Sequence, residues 1–382
     1  MRFRTLTRAP LGAALAGAAV LALAAPPTPA QEVATHPVST VAPGCGQPLP
    51  FYPTFPSPTA PSPTAPQTSS PLGPMAQGLS AADINLGGGL SAAGGGRTVA
   101  LNGGGSVDDA VPFTHVRLRF DAAYDDNRPD RAEFFYGKCG CFTNGNAGAL
   151  FDPHAPGPLR PETSVDYQEV STYFEYAVGT RFSAFVEVPV RLINPEQNSD
   201  HTGIGDMNVG AKFAMISGDD TVLTFQGRVY IPTGDAAEGL GTDHTSLEPA
   251  ILLYQRLCDR VALQAEFRDW IPIGGTDFEG NIVRYGLALN WLALDRPGFR
   301  VMPVTEVVGW TVLSGKELTV AGPKDATDET IVNAKFGARL GFGDLEDRGL
   351  LSGSDLYIGY GRALTGTVWY KDIFRVEYRM RF

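Results

Sequence analysis

From Pro112 to the C-terminus this chain alternates apolar with polar residues in segments of about ten, separated by turn chemistry. A period of two is that of a β-strand whose two faces meet different surroundings, and it constrains the fold more than any other feature. The last nine residues, FRVEYRMRF, show it plainly. Phe374, Val376, Tyr378, Met380 and Phe382 share one parity, while Arg375, Glu377, Arg379 and Arg381 share the other. Twelve such segments are read: Thr114 to Tyr124, Val165 to Val178, Arg181 to Ile193, Gly205 to Ile216, Thr221 to Ile231, Ser246 to Leu257, Arg260 to Ile271, Ile282 to Leu294, Phe299 to Leu313, Ile331 to Phe342, Asp355 to Ala363 and Asp372 to Phe382. No helical period competes with them, and no later stretch is long and apolar enough for a membrane helix.

A soluble sandwich also alternates, so parity alone does not choose the architecture. The connections do more, because they run long, short, long, short around the chain, with only Gly343 to Ser354 out of pattern. An even strand count with short turns at one rim and long loops at the other is the plan of a bacterial outer-membrane barrel. Energetics agree: a lysine or arginine facing lipid costs about 2–4 kcal/mol at the bilayer midplane, so charges must collect on the inner face. The fold class expected is all-β, a closed antiparallel transmembrane β-barrel of twelve strands over residues 113–382. Closure of the last strand onto the first removes the exposed edges.

The N-terminal third reads differently. Arg2, Arg4 and Arg8 precede the apolar stretch Leu11 to Ala25 and the small-residue exit APPTPA, so residues 1–30 read as a secretory signal peptide. Its removal takes three arginines and no acid, moving the net charge from -11 to -14 and arguing against nucleic acid as a partner. Residues 31–112, with SPTAPSPTAP and then NLGGGLSAAGGG and LNGGGS, read as a Pro- and Gly-rich disordered tail on the periplasmic side. Cys139 and Cys141 in KCGCF are too sparse for a zinc site and are read as a local disulfide or two thiols. Cys45 in the tail and Cys258 in a short turn fall on the same side of the barrel and are read as a disulfide tying tail to rim.

Three strands end in similar phrases, VEVPVRLIN, GRVYIPTGD and FRDWIPIGG, and Pro189, Pro232 and Pro272 are expected to terminate strands at the loop rim. Pro249 and Pro303 fall inside strands, where bulges or shifted boundaries would accommodate them. At GIGDMNVGAKFAM (203–215), YIPTGD (230–235) and LGTDHTSLEPAILLYQ (240–255) the chain resembles the phenol-degradation meta-pathway family of transporter-like outer-membrane barrels. The most specific part is Pro232, Thr233, Gly234 and Asp235 followed by Leu240 and Gly241. The resemblance implies passage of small organic molecules and transfers no catalytic residue. A terminal aromatic, Phe382, resembles the signal read by the outer-membrane assembly machinery.

Parity places Arg117, Arg119, Arg181, Lys212, Arg228, Arg268, Arg284, Lys335, Arg339, Arg375, Arg379 and Arg381 in the lumen. Asp121, Glu169, Glu175, Glu187, Asp206, Glu248, Glu266 and Glu377 join them, a mildly positive interior that suggests a weak preference for anionic solutes. A zipped ion-pair network filling a narrow barrel is the alternative reading. For catalysis His115, His154, His201 and His244 are the candidates beside His36, with His244 near Asp243, Thr245 and Ser246, but sequence neighbours on a strand point to opposite faces. Asp235, Glu238 and Asp243 lack calcium-loop spacing. No cofactor or metal site is read. A passive channel leads; a structural or adhesion barrel, an outer-membrane hydrolase and a soluble exported β protein are the alternatives.

Overall fold

Alternation forces each segment to present its apolar face outward and its charged face inward. A closed ring satisfies every backbone donor and acceptor while doing so. The structure, a computed structural model of the full chain, describes residues 101–127, 139, 140, 143, 155–319, 322–327, 329–343 and 353–382. The strands are β1 (His115–Asp126), β2 (Val165–Val178), β3 (Phe182–Pro195), β4 (His201–Ile204), β5 (Met207–Ser217), β6 (Thr221–Ile231), β7 (Thr245–Cys258) and β8 (Val261–Ile273). They continue as β9 (Ile282–Trp291), β10 (Leu294–Arg296), β11 (Phe299–Val312), β12 (Lys316–Thr319), β13 (Gly322–Asp325), β14 (Thr330–Phe342), β15 (Ser354–Ala363) and β16 (Asp372–Arg381).

β4 with β5, and β9 with β10, are each one span broken in the middle, and β12 with β13 is a hairpin within a long loop. Twelve spans remain, each antiparallel to its neighbours, and the ring closes where β16 pairs β1 from His115↔Arg381 to Tyr124↔Asp372. The Phe382 amide extends that closure by donating to the Thr114 carbonyl at 3.2 Å. Outside, Leu118, Phe174, Phe213, Phe267, Leu287 and Phe336 are exposed along the walls. Tyr176, Phe182, Trp291 and Phe299 stand near the short-turn rim, and Tyr124 and Tyr360 near the other, as aromatic girdles do. Among the described residues no helix is long and apolar enough to cross a membrane.

The prolines divide into two kinds. Pro232 follows the end of β6 and Pro272 sits one residue before the end of β8, as the sequence suggested. Pro189 does not end a strand: it lies inside β3 opposite the gap between β4 and β5, and its carbonyl accepts from the Gly205 amide at 2.9 Å. Pro303 faces the gap between β9 and β10, and the pairing of β7 with β8 lapses opposite Glu248 and Pro249. Each interior proline lacks a ladder donor, and the neighbouring strand has dropped its partner at that height.

The reading of residues 31–112 as a disordered tail needs correction at its end. Residues 101–113 run inside the barrel and are almost wholly buried. Leu101 and Ala110 pack with Ala214, Val222, Leu252 and Ala262 near the short-turn rim, so the segment enters there, rises and returns to β1. Apolar burial alone does not offset the ordering entropy of so Gly-rich a segment. What holds this segment is mainly polar. The signal peptide and the tail as far as residue 100 lie outside the described residues.

Candidate functional site: the barrel lumen

The inner faces of the spans surround the 101–113 segment with charge. The Glu306 side chain on β11 is fully buried, and its Oε1 accepts from three successive backbone amides, Gly105 at 3.1 Å, Ser106 at 2.8 Å and Val107 at 3.0 Å. Its Oε2 accepts from the Tyr357 hydroxyl at 3.1 Å. Consecutive amides converging on one anion form a nest, here filled by the protein's own carboxylate. Gly104 donates to Gln264 and Asp108 to Glu266. The carbonyls of the segment meet arginines: Asn102 accepts from Arg379, Gly103 and Gly104 from Arg339, Gly105 from Arg375 and Ser106 from Arg284. A glycine is required at 105, because a Cβ there would fall within the Tyr357 ring.

Two acids of the segment complete the network. Asp108 Oδ2 lies 2.8 Å from Arg228 and 2.9 Å from Arg268, and Asp109 Oδ2 lies 2.6 Å from Arg379. Arg339 bridges Asp355 and Glu377, Arg375 clamps both oxygens of Asp121, and Lys212 Nζ meets Glu175 at 2.8 Å. Arg117 and Arg119 reach Glu187 at 3.5 and 3.1 Å, and Arg284 reaches Glu266 at 3.0 Å. All the side chains expected in the lumen are brought together there except Arg181. Arg181 is exposed at the turn before β3, because the strand begins one residue later.

Parity missed five partners. Arg191 joins Glu169 at 2.8 Å and belongs to the inward set of β3. Glu306 and Asp355 are inward and buried, and the even parity that buries Val304, Val308 and Trp310 was the available signal for Glu306. Asp108 and Asp109 arrive from the segment, which no strand pattern could place. Among the described residues, with Arg191 gained and Arg181 lost, the cations remain twelve; Glu306, Asp355, Asp108 and Asp109 raise the eight acids to twelve. The expected mildly positive interior is balanced.

Above the apex of the segment the lumen opens toward the long-loop rim in a cavity of about 200 Å³. Its wall mixes ions with Tyr167, Tyr230, Trp270, Trp310, Trp369 and Tyr370. The family-motif residues frame one side of the mouth. Asp206, between β4 and β5, accepts from the Gly234 amide at 3.0 Å and the Thr242 amide at 2.9 Å, and Thr233 Oγ1 donates to the Gly205 carbonyl at 2.8 Å. Asp235 caps a short 3-10 turn by accepting from Ala237 and Glu238. The Leu240 carbonyl accepts from Arg191 at 3.0 Å, and Gly241 approaches Gly234 and Asp206 too closely for a side chain. These residues thus hold a loop onto the barrel mouth.

The histidine candidates separate. His115 is buried and stacked on Phe113 at 4.3 Å. His201 faces Glu238 at 3.6 Å. The His244 ring lies 3.1 Å from the Thr242 carbonyl and 3.9 Å from Glu279, with no hydrogen bond to Thr245 or Ser246 among the described residues. Glu279, in the loop before β9, is held by Thr276, and burial pushes its carboxyl up. Asp235 and Glu238 are engaged in the turn, and among the described residues no cluster of metal-ligating side chains occurs. Cys139 and Cys258 are both disulfide-bonded, and they stand at opposite rims. Cys45, Cys141, His36 and His154 lie outside the described residues.

The fold and its charged lumen define a closed β-barrel of the outer-membrane type. A family model described as "Putative MetA-pathway of phenol degradation" matches residues 146–268, about a third of the chain. That span contains all three stretches at which the sequence resembles this family. No curated protein matches the sequence. Among solved structures, the chain is similar to an outer membrane channel from Pseudomonas putida F1, at 13% identity and TM-score 0.45, covering 73% of this chain and 99% of that one. It is similar too to the β domain of the Bordetella autotransporter BrkA, at 14% and 0.40, covering 71% and 100%. The KdgM porin follows at 9% and 0.35, covering 70% and 99%.

Proposed function

We propose that this protein is an outer-membrane channel for the passive passage of small solutes. The observation that carries the reading is a closed ring of twelve spans, apolar outside, with a charged, solvent-open cavity within. The apolar exterior takes lipid as its partner, and Phe382, ending the closing strand, serves as the mark read by the assembly machinery. The lumen carries most of its charges as pairs, which selects by shape and local contact more than by net charge. The pore-lining set acts as the wall of that path, and the motif residues Pro232 to Asp235 with Leu240 and Gly241 shape its mouth. Cys258 ties the short-turn rim to Cys45 and so tethers the tail; mass spectrometry finding Cys45 bonded elsewhere would contradict this.

A balanced, partly filled lumen is also what a structural barrel would show, and solute flux separates the two readings. Proteoliposomes containing the full mature chain should swell when transferred into small neutral or organic solutes and stay closed to large oligosaccharides. No swelling with any solute, from protein that shows heat-dependent gel mobility, would leave the structural barrel standing.

A further inference from the structure

One cation in the lumen stands apart from the zipped pairs. Lys335 on β14 is 95% buried and makes no hydrogen bond or ion pair among the described residues. Its Nζ lies 5.4 Å from the ring centre of Tyr370 and 5.9 Å from that of Trp310. Asp121, which shares the cavity wall with it, is clamped through both oxygens by Arg375. A second cation, Arg284, lies 5.6 Å from the same Trp310 ring, but its Nη2 is held by Glu266 and by the Ser106 carbonyl. Trp369 packs edge-on against Trp310 at 5.4 Å, and Tyr370 does so at 6.3 Å. Lys335, Trp310, Trp369, Tyr370, Asp121, Arg375 and Arg284 line the cavity. Gly361 on β15 makes the site, because a Cβ there would meet Lys335 Cγ at 2.7 Å.

An ammonium on a largely buried side chain, flanked by aromatic faces, keeps three donors unspent, and cation–π attraction replaces only part of its lost hydration. An entering carboxylate would supply what is missing as a charge-assisted hydrogen bond. The indole and phenol faces around it suit a flat apolar ring. We propose that Lys335, Trp310, Trp369 and Tyr370 form a binding subsite for small aromatic monocarboxylates on the long-loop side of the lumen. The subsite selects locally, so the balanced charge of the whole lumen does not oppose it; its role in transport rests on the channel reading above.

The test uses the full mature chain in detergent, with benzoate as probe, followed by tryptophan fluorescence and calorimetry. Benzoate is expected to bind at least about tenfold more tightly than acetate or benzyl alcohol, which supply the charge or the ring alone. Lys335→Gln should weaken benzoate by about tenfold or more and leave benzyl alcohol within about twofold, while Lys335→Arg should retain most of the affinity. Heat-dependent gel mobility confirms that each variant is folded. Benzoate binding no tighter than acetate, or unchanged in Lys335→Gln, overturns the subsite. Bilayer recordings of the same preparation separate the two claims: conductance without benzoate binding removes the subsite alone, and benzoate binding without conductance removes the channel alone.

Discussion

Replacing Glu306 with glutamine asks how the 101–113 segment is held. The isosteric amide keeps an oxygen in place, but the charge that three amides and the Tyr357 hydroxyl address disappears. Hydrogen bonds to charged groups contribute about 1.5–3 kcal/mol each, against about 1 for neutral pairs. The three amide bonds should therefore weaken together by about 2–4 kcal/mol, and the freed population of the segment should rise roughly 30- to 1,000-fold. The anchors of Asp108 and Asp109 are the same in both proteins, so the difference reports Glu306 alone. Ser106→Cys supplies the probe, because Ser106 is buried at the apex. Maleimide labelling of that thiol should accelerate by at least about 30-fold when Glu306→Gln is added, reading exposure as the equilibrium population of the opened state. Equal rates within about twofold, with both proteins still heat-modifiable, would refute the nest as the anchor.

Other perturbations test other parts of the wall. Phe336→Arg puts a charge on the exposed outer face in the middle of β14 and should cost about 2–4 kcal/mol in urea-monitored refolding into vesicles, whereas Phe336→Leu should cost little. Arg268→Met leaves Glu248, Glu266 and Asp108 facing one another without their shared cation, at about 3–5 kcal/mol, read as a lower temperature for loss of the compact gel form. Deleting Phe382 removes the donor to the Thr114 carbonyl and the terminal aromatic; membrane yield in cells should fall several-fold while refolding of purified protein changes little.

The barrel was largely legible because its physics is local. Alternation in RVALQAEFRDW places Gln264, Glu266 and Arg268 on one side of β8, and no distant residue can reverse that without moving the whole strand. The interior prolines were harder, because a broken neighbour such as β9 with β10 is a property of two strands at once. The segment 101–113 was illegible for a different reason. Its Gly-rich sequence resembles a linker, and its stability comes from partners such as Glu306 and Arg339, some two hundred residues away. Lys335 is placed on the inner face by parity, but that it has no ion-pair partner among the described residues appears only when the opposing spans are assembled.

Single-channel recording in planar bilayers tests the central claim most directly. Purified protein, shown to be folded by heat-dependent mobility, should insert and give discrete, reproducible current steps, and Glu306→Gln should raise or destabilise those steps by loosening the segment. Repeated insertion of folded protein without any current step would contradict the account.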